Sequence, residues 1–449
     1  MFKRLTAQKA LVLSILTMAL PAIIEMALNT LLGVSDTIMI SRLINQSALA
    51  ASGFANSIMF TLIFVFTSFN TGATALVSRS YGEKNFEKLN RIGSQTVMLN
   101  GLIGLVVMLL SLKFSSQIFT IFDTTKEVSI MINSYFSLIS YGLFAMFLSL
   151  SFAAILRGAG DTITPMVVTG FANILNIIGN YVLIRGVWIF PEMGIQGAAL
   201  STTLSRIVAV IIYIYICFFK HKQIKIKFKF MKFQSHVLKP LIRISLPGAL
   251  EQGLMQISFL VLGVFISKLE TASEAAFRIL INIESISFMP AVGISIAAAT
   301  LVGKSLGEEN KEYAKDIARV SFSLAIVWGI FVGSLFFIFK IPILKIFTTE
   351  QAVIETSLAS MTLMAVNQPL LNFMIAISGG LRGAGDTKFV MYITLLRLWL
   401  VFVPVSYLFI NIYSYGVSGL WIAEILSFLI FDFIIFKRFQ SGKWADIKI

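Results

Sequence analysis

The heptapeptide Leu-Arg-Gly-Ala-Gly-Asp-Thr occurs at Leu156–Thr162 and again at Leu381–Thr387, 225 residues apart in a chain of 449. A seven-residue identity at half the chain length marks a tandem duplication, so each half must build the same unit. Other pairs extend the alignment. Pro21-x-x-x-Glu25 matches Pro247-x-x-x-Glu251, Ser41-Arg42-Leu43 matches Ser267-Lys268-Leu269, and Gly194-x-x-Gly197 matches Gly416-x-x-Gly419. The offset drifts from 226 to 222 across these pairs, as small loop insertions require.

Apolar stretches of membrane-spanning length, about 20 residues, recur along the whole chain. Only 13% of the residues are charged and the mean hydropathy is +0.87, which excludes an ordinary soluble domain. Twelve spans are predicted, centred near residues 25, 63, 101, 142, 175, 208, 257, 288, 328, 368, 400 and 428. Six spans per half is an even number, so both halves enter the membrane from the same side and the repeats are parallel. The expected architecture is an all-α polytopic membrane protein. Its domains are a six-helix bundle over 1–219, a basic linker over 220–240 and a second bundle over 241–449. The charged start (Met1, Lys3, Arg4, Lys9) leads into an apolar run too long for a cleaved signal, and reads as the first spanning helix. Cys217 is the single cysteine, which rules out an intrachain disulfide.

Charge placement gives an orientation. With both termini inside, 26 of the 36 basic residues fall on inner segments and seven on outer ones. That asymmetry predicts cytoplasmic termini in a cell inner (plasma) membrane. It also accounts for most of the net charge of +14 without a nucleic-acid partner. The linker alternates as Lys225-Ile-Lys-Phe-Lys-Phe230, placing lysines on one face of an extended segment. It reads first as a solvated inner loop, with an anionic-lipid site as the functional alternative.

Charges inside spans carry more information, because an ionised group at mid-membrane is costly and marks a pathway. Glu25 lies about 22 Å along the first span from Ala10 at 1.5 Å per residue, and Glu251 is its repeat mate. Each stands one turn past a proline. Two readings are open for them: a protonatable, cation-attracting group in a central cavity, or a neutral acid bonded to a neighbouring helix. Glu284 is a third candidate cavity acid, although an ion pair with Arg278 is the stronger expectation, as is one between Glu424 and Arg397. Asp36 ends the first span, where an interfacial cap is the simplest reading. Asn173, Asn176 and Asn180 share one face of the fifth span. Such a stripe must face protein or water, and Thr202 and Thr203 can complete it.

The heptapeptide reads as a tight inner hairpin. Gly158, Gly160, Gly383 and Gly385 can end helices with left-handed angles. Asp161 and Asp386 can cap the helices that follow, and Arg157 and Arg382 suit helix carbonyl ends and anionic lipid. No metal-ligand cluster, phosphate loop or nucleophile constellation is present, which argues against an enzyme, a resident cofactor and nucleotide hydrolysis.

Ser35-Asp36-Thr37 closes the first span, Ala75-Leu-Val-Ser-Arg-Ser-Tyr-Gly82 ends the second, and Leu301-Val-Gly-Lys-Ser-Leu-Gly307 occupies the matching place in the second half. With the paired heptapeptides and twelve spans, the whole chain resembles the multidrug and toxic compound extrusion (MATE) family. The resemblance implies a V-shaped pair of bundles and export of cationic or amphipathic organic compounds in exchange for protons or sodium; the partners expected beside these compounds are membrane lipids, with the chain as a monomer. It implies a coupling site at Asp36, Asn176, Asn180 and Thr202. Position 180 carries Asn where an acid is often found, so protons are favoured over sodium; a sodium ion would take Asp36 and Asn180. The alternative is a flippase for lipid-linked saccharides, which would need several cavity arginines for phosphate. Only Arg206, Arg278 and Arg397 lie deep in the predicted spans.

Overall fold

The computed structural model describes residues 2–115, 117 and 125–449, with side chains from residue 9 onward. The side chains of Lys3 and Arg4, counted above on the inner face, lie outside the described ones. Among the described residues, twelve helices are long and apolar enough to cross a membrane. They are α1 (Lys9–Leu43), α2 (Gln46–Gly82), α3 (Phe86–Lys113), α4 (Lys126–Gly158), α5 (Ile163–Arg185), α6 (Ile195–Lys220), α7 (Ser235–Ile266), α8 (Thr271–Gly307), α9 (Lys311–Ile338), α10 (Gln351–Gly383), α11 (Thr387–Ile412) and α12 (Ser418–Gln440). The all-α fold and the twelve spans read from the sequence are thus present.

The chain forms two compact units. One comprises Ile24–Ile242; the other comprises Arg243–Ile449 together with the chain up to Ile23. This division departs from the sequence expectation at two places. The first half of α1 joins the second unit, where Leu11, Ile15, Met18 and Ala19 pack in one cluster with Ile294, Ala297 and Ile377. Gly293 makes that approach close: a Cβ there would press on the Ile23 side chain. The basic linker joins the first unit, because it is bonded to α3.

Each element ends for a local reason. Asn45, Asn85 and Asn310 accept from backbone N–H groups three residues on and start α2, α3 and α9, as N-caps do. The two heptapeptide hairpins close alike. Gly160 and Gly385 hold φ of 91° and 90°, and Asp161 N and Asp386 N donate to Leu156 O and Leu381 O, both at 2.9 Å. This is a Schellman closure, which glycine permits without strain. The first glycine of each motif has a different task. A Cβ at Gly158 would lie 2.9 Å from Thr74 O, and one at Gly383 would run into the Ala299 backbone. So Gly158 and Gly383 let α4 and α10 touch the backbones of α2 and α8.

The hairpins differ at the aspartate. Asp161 caps α5, accepting from Thr164 N at 2.9 Å and from Thr164 Oγ1 at 2.5 Å. Asp386 occupies the N-cap position of α11 without a cap hydrogen bond; it accepts from Arg438 Nε at 2.8 Å instead. Phe389 stands where α5 has Thr164, so half of the capping pair is lost and α12 supplies the partner. Within α11 the backbone widens twice, at Arg397–Phe402 and at Leu408–Ile412, into π-helical turns.

Candidate functional site

In the first unit, three helices bring together Asp36, Asn176, Asn180 and Thr202, the four residues that the family resemblance singles out. Asn180 Nδ2 on α5 donates to Asp36 Oδ1 on α1 at 2.6 Å and to Asn176 Oδ1 at 3.1 Å, and Asn176 Nδ2 donates to Thr202 Oγ1 on α6 at 3.0 Å. Turned over, the Asn176 amide reaches Asp36 Oδ1 at 3.2 Å and accepts from Thr202 Oγ1 at 3.0 Å, satisfying both its ends. Either orientation joins the same residues. Asp36 is therefore tied to α5 rather than standing as an interfacial end cap. Ser201 Oγ donates to Asn176 O at 2.8 Å and locks α6 against α5, and Gly179 leaves the Ser201 side chain its space.

Asn176 and Asn180 are fully enclosed, whereas Asp36 is half-buried. Asn180 Oδ1 has no hydrogen-bond partner among the described residues, so the string has an acceptor to spare. Arg206 and Tyr135 stand close enough to act on the Asp36 charge. The donors fit a coupling cation only modestly: one carboxylate and neutral amide and hydroxyl oxygens make a weak site for a hard cation. Among the described residues no group of three His, Cys, Asp or Glu could hold a metal.

Asn173 completes the asparagine face, but its Nδ2 is buried and has no hydrogen-bond partner among the described residues. It opens instead into a groove of about 540 Å³ lined by Leu28, Leu31 and Leu32 of α1 and Met166, Phe171 and Ile177 of α5. Leu28, Leu32 and Asp36 are spaced four apart, on one helix face. Asp36 stands one turn beyond Leu32, the last α1 residue that lines the groove.

The cavity acids read from the sequence sit elsewhere. Glu25 accepts from Arg157 at 3.2 Å and from Thr169 Oγ1 at 3.4 Å; Glu251 accepts from Arg382 at 2.7 Å. The two glutamates are 8% and 6% exposed. In each half the glutamate after the proline meets the arginine of the heptapeptide, a pairing that neither open reading of these acids contained. The signal was available: the two separations are 132 and 131 residues, so a contact in one repeat implies its mate.

Two expected ion pairs are corrected. Arg278 pairs with Glu274 at 2.8 Å, not with Glu284. Residues four apart on a helix are neighbours, while residues six apart face different ways. Glu284 Oε1 accepts from Gln368 Nε2 at 3.1 Å, and Glu424 Oε2 from Asn367 Nδ2 at 3.0 Å. Arg397 donates to Ser427 Oγ at 3.1 Å and lies over the Phe428 ring at 4.1 Å, close enough for its charge to act on Glu424 without a direct bond. Glu284 and Glu424 lie close enough for one charge to bear on the other, so the second unit carries its own half-buried acid pair, held by amides of α10.

Leu262, the repeat mate of Asp36, is fully buried among Ile266, Leu280 and Ile283. The Asp36 string therefore has no counterpart in the second unit.

Comparison with known proteins agrees with this layout. The family model described as MatE matches twice, over residues 21–182 and 247–408; both matches open on the proline of a Pro-x-x-x-Glu pair. The protein described as probable multidrug resistance protein NorM of Thermotoga maritima is 32% identical over 431 residues, covering 96% of this chain and 92% of that one. The uncharacterized transporter YisQ of Bacillus subtilis is 26% identical, covering 96% and 95%. Among solved structures, a MOP superfamily transporter from Pyrococcus furiosus superimposes with a TM-score of 0.88 at 21% identity, over 97% of this chain and 96% of that one. A MATE in the bent conformation gives 0.89 at 21% identity, over 96% of each. At that identity the two structures speak for the fold, and the doubled family match and the Thermotoga relative speak for descent: the chain belongs to the MatE family of membrane transporters.

Proposed function

We propose that the protein is a secondary active antiporter that exports cationic or amphipathic organic compounds in exchange for protons or sodium, by alternating access between its two six-helix repeats. The carrying observation is the Asp36–Asn180–Asn176–Thr202 string, which links a half-buried carboxylate to three helices. Loading or unloading a cation at Asp36 changes the charge at a point where α1, α5 and α6 are bonded together. A ligand shifts a conformational equilibrium only by its unequal affinity for the two states, and this joint supplies the difference. With a single carboxylate, proton coupling is favoured over sodium. The α1–α5 groove suits the apolar body of a cargo whose charge lies toward Asp36, since pockets of about 300–1,000 Å³ take drug-sized ligands. NorM of Thermotoga maritima, by its description a multidrug resistance protein, supports the same cargo class.

The flippase reading is disfavoured by the arginines. Arg278 pairs with Glu274 on the exposed face of its own helix, Arg397 is enclosed beside Ser427 and two aromatic rings, and Arg206 stands near the Asp36 carboxylate, so the three do not form one phosphate-binding cluster.

The test uses vesicles of purified protein, a fluorescent organic cation, and proton and sodium gradients imposed separately. Dye movement under the proton gradient is expected, with loss of that movement in Asp36→Asn. If neither gradient moves dye, or Asp36→Asn matches wild type, the proposal fails.

A further inference from the structure

The basic linker is a built strap. Asn90, Ser94 and Gln95, one face of α3, bond its backbone. Lys225 N donates to Asn90 Oδ1 at 2.7 Å, Lys227 N to Ser94 Oγ at 3.2 Å, Gln234 N to Gln95 Oε1 at 3.2 Å, and Gln95 Nε2 to Lys232 O at 2.7 Å. Ile224, Ile226 and Phe230 point inward and are buried; Gly93 leaves the space that Ile226 fills. Lys225, Lys227 and Lys229 point outward.

Two features of the outer face do not suit a solvated loop. First, Phe228 is 76% exposed although the strap around it is ordered by these bonds. Its ring lies 5.1 Å from Phe218 and continues an aromatic run that includes Phe219 and Tyr215 on the last turns of α6. Those two are open on a spanning helix, at 73% and 59% exposure, so Phe228 extends a lipid-facing belt onto the strap. Second, cations from two separate segments converge. Arg91 pairs with Glu87 at 2.8 Å, and the Lys227 and Lys229 charges act on the same carboxylate. Arg91 and Lys229 also flank the Phe230 ring at 5.0 and 4.9 Å. Three cations around one acid leave a positive surplus beside an aromatic anchor.

We propose that this face binds an anionic phospholipid, its headgroup phosphate at Arg91, Lys227 and Lys229 and its acyl chains along Tyr215 and Phe219. The occupant is a lipid rather than a free anion because the apolar and cationic parts adjoin, and each matches one end of such a molecule.

The test is native mass spectrometry of the full chain in detergent, titrated with phosphatidylglycerol or phosphatidylcholine. Wild type should retain phosphatidylglycerol in preference. The Lys227→Gln/Lys229→Gln double variant should lose about 30-fold in apparent affinity, since each lysine near an anionic headgroup contributes about five-fold. Phe228→Ser should weaken retention while leaving the thermal melt unchanged, which keeps the test valid if the double variant folds poorly. Lys443→Gln/Lys448→Gln, matched in charge but in the second unit, should have little effect. Equal loss in that control, no preference between the lipids, or displacement by inorganic phosphate at millimolar concentration would each overturn the proposal.

Discussion

The Glu251–Arg382 pair makes a prediction with a worked magnitude. At 2.7 Å between charged atoms and an effective dielectric of about 20, the attraction is about 6 kcal/mol. Both groups gave up hydration to reach one another, so the net contribution is smaller. Removing one partner of a buried pair nevertheless strands the other, at a cost of about 3–5 kcal/mol. The Arg382 side chain keeps 26% exposure, so water relieves part of that cost, and Glu251→Gln should lose about 3 kcal/mol. The double variant Glu251→Gln/Arg382→Gln should recover at least half of the loss, because no charge is left stranded. Glu25→Gln should behave like its repeat mate. The assay is equilibrium unfolding of purified protein in mixed micelles titrated with denaturing detergent, read by circular dichroism. A Glu251→Gln variant within about 0.5 kcal/mol of wild type, or a double variant no more stable than the single, would refute the ion-pair account. Lost transport with unchanged stability would instead mark Glu251 as a group on the transport path.

Two further outcomes are expected. Gly160→Ala should cost about 1–2 kcal/mol from left-handed strain alone, since a Cβ there meets open space, whereas Gly158→Ala should cost more because its Cβ presses on the Thr74 carbonyl; unfolding of the two variants side by side checks the order. His221, beyond the end of α6, accepts from Gln223 N and Ile224 N through Nδ1 at 3.2 and 3.0 Å, and burial holds its imidazole below the ordinary 6.5. The folded strap therefore prefers the neutral ring. Its contribution is complete above about pH 6.5 and is lost as pH falls toward the depressed native value. Hydrogen exchange of residues 222–227, corrected for intrinsic rates, should speed up over that window in wild type and show no such step in His221→Ala.

Much of the scaffold was legible because its rules are local. Span lengths follow from apolar runs, and Gly160 and Gly385 from left-handed geometry, whereas Gly158 and Gly383 stay helical and serve close packing instead. The Asp36 string needed more: three residue types on three helices become a site only when those helices touch, and the family resemblance supplied that contact in advance. Where local rules were stretched across space they failed. The charge pattern pairs Arg278 with Glu284 six residues on, although Glu274, four residues back, is already acidic. Glu25 and Arg157 were read in separate classes, mid-span acid and hairpin cation, because nothing in either segment alone points to the other. Asp386 shows a third cause: the capping partner of its repeat mate is replaced by Phe389, and the new partner, Arg438, lies on a different helix.

The widened turns of α11 bear on what duplication can preserve. Each π turn admits one residue more than an α turn, so side chains beyond it are rotated by about 100° against an unwidened helix. Two such turns in α11, at Arg397–Phe402 and Leu408–Ile412, offset the C-terminal part of that helix from the corresponding part of α5. Drift in substitution is one way for a doubled gene to lose its symmetry. Here a change of winding does it as well: it re-aims a whole stretch of helix at once, and leaves the second copy free to face its neighbours with a different set of side chains.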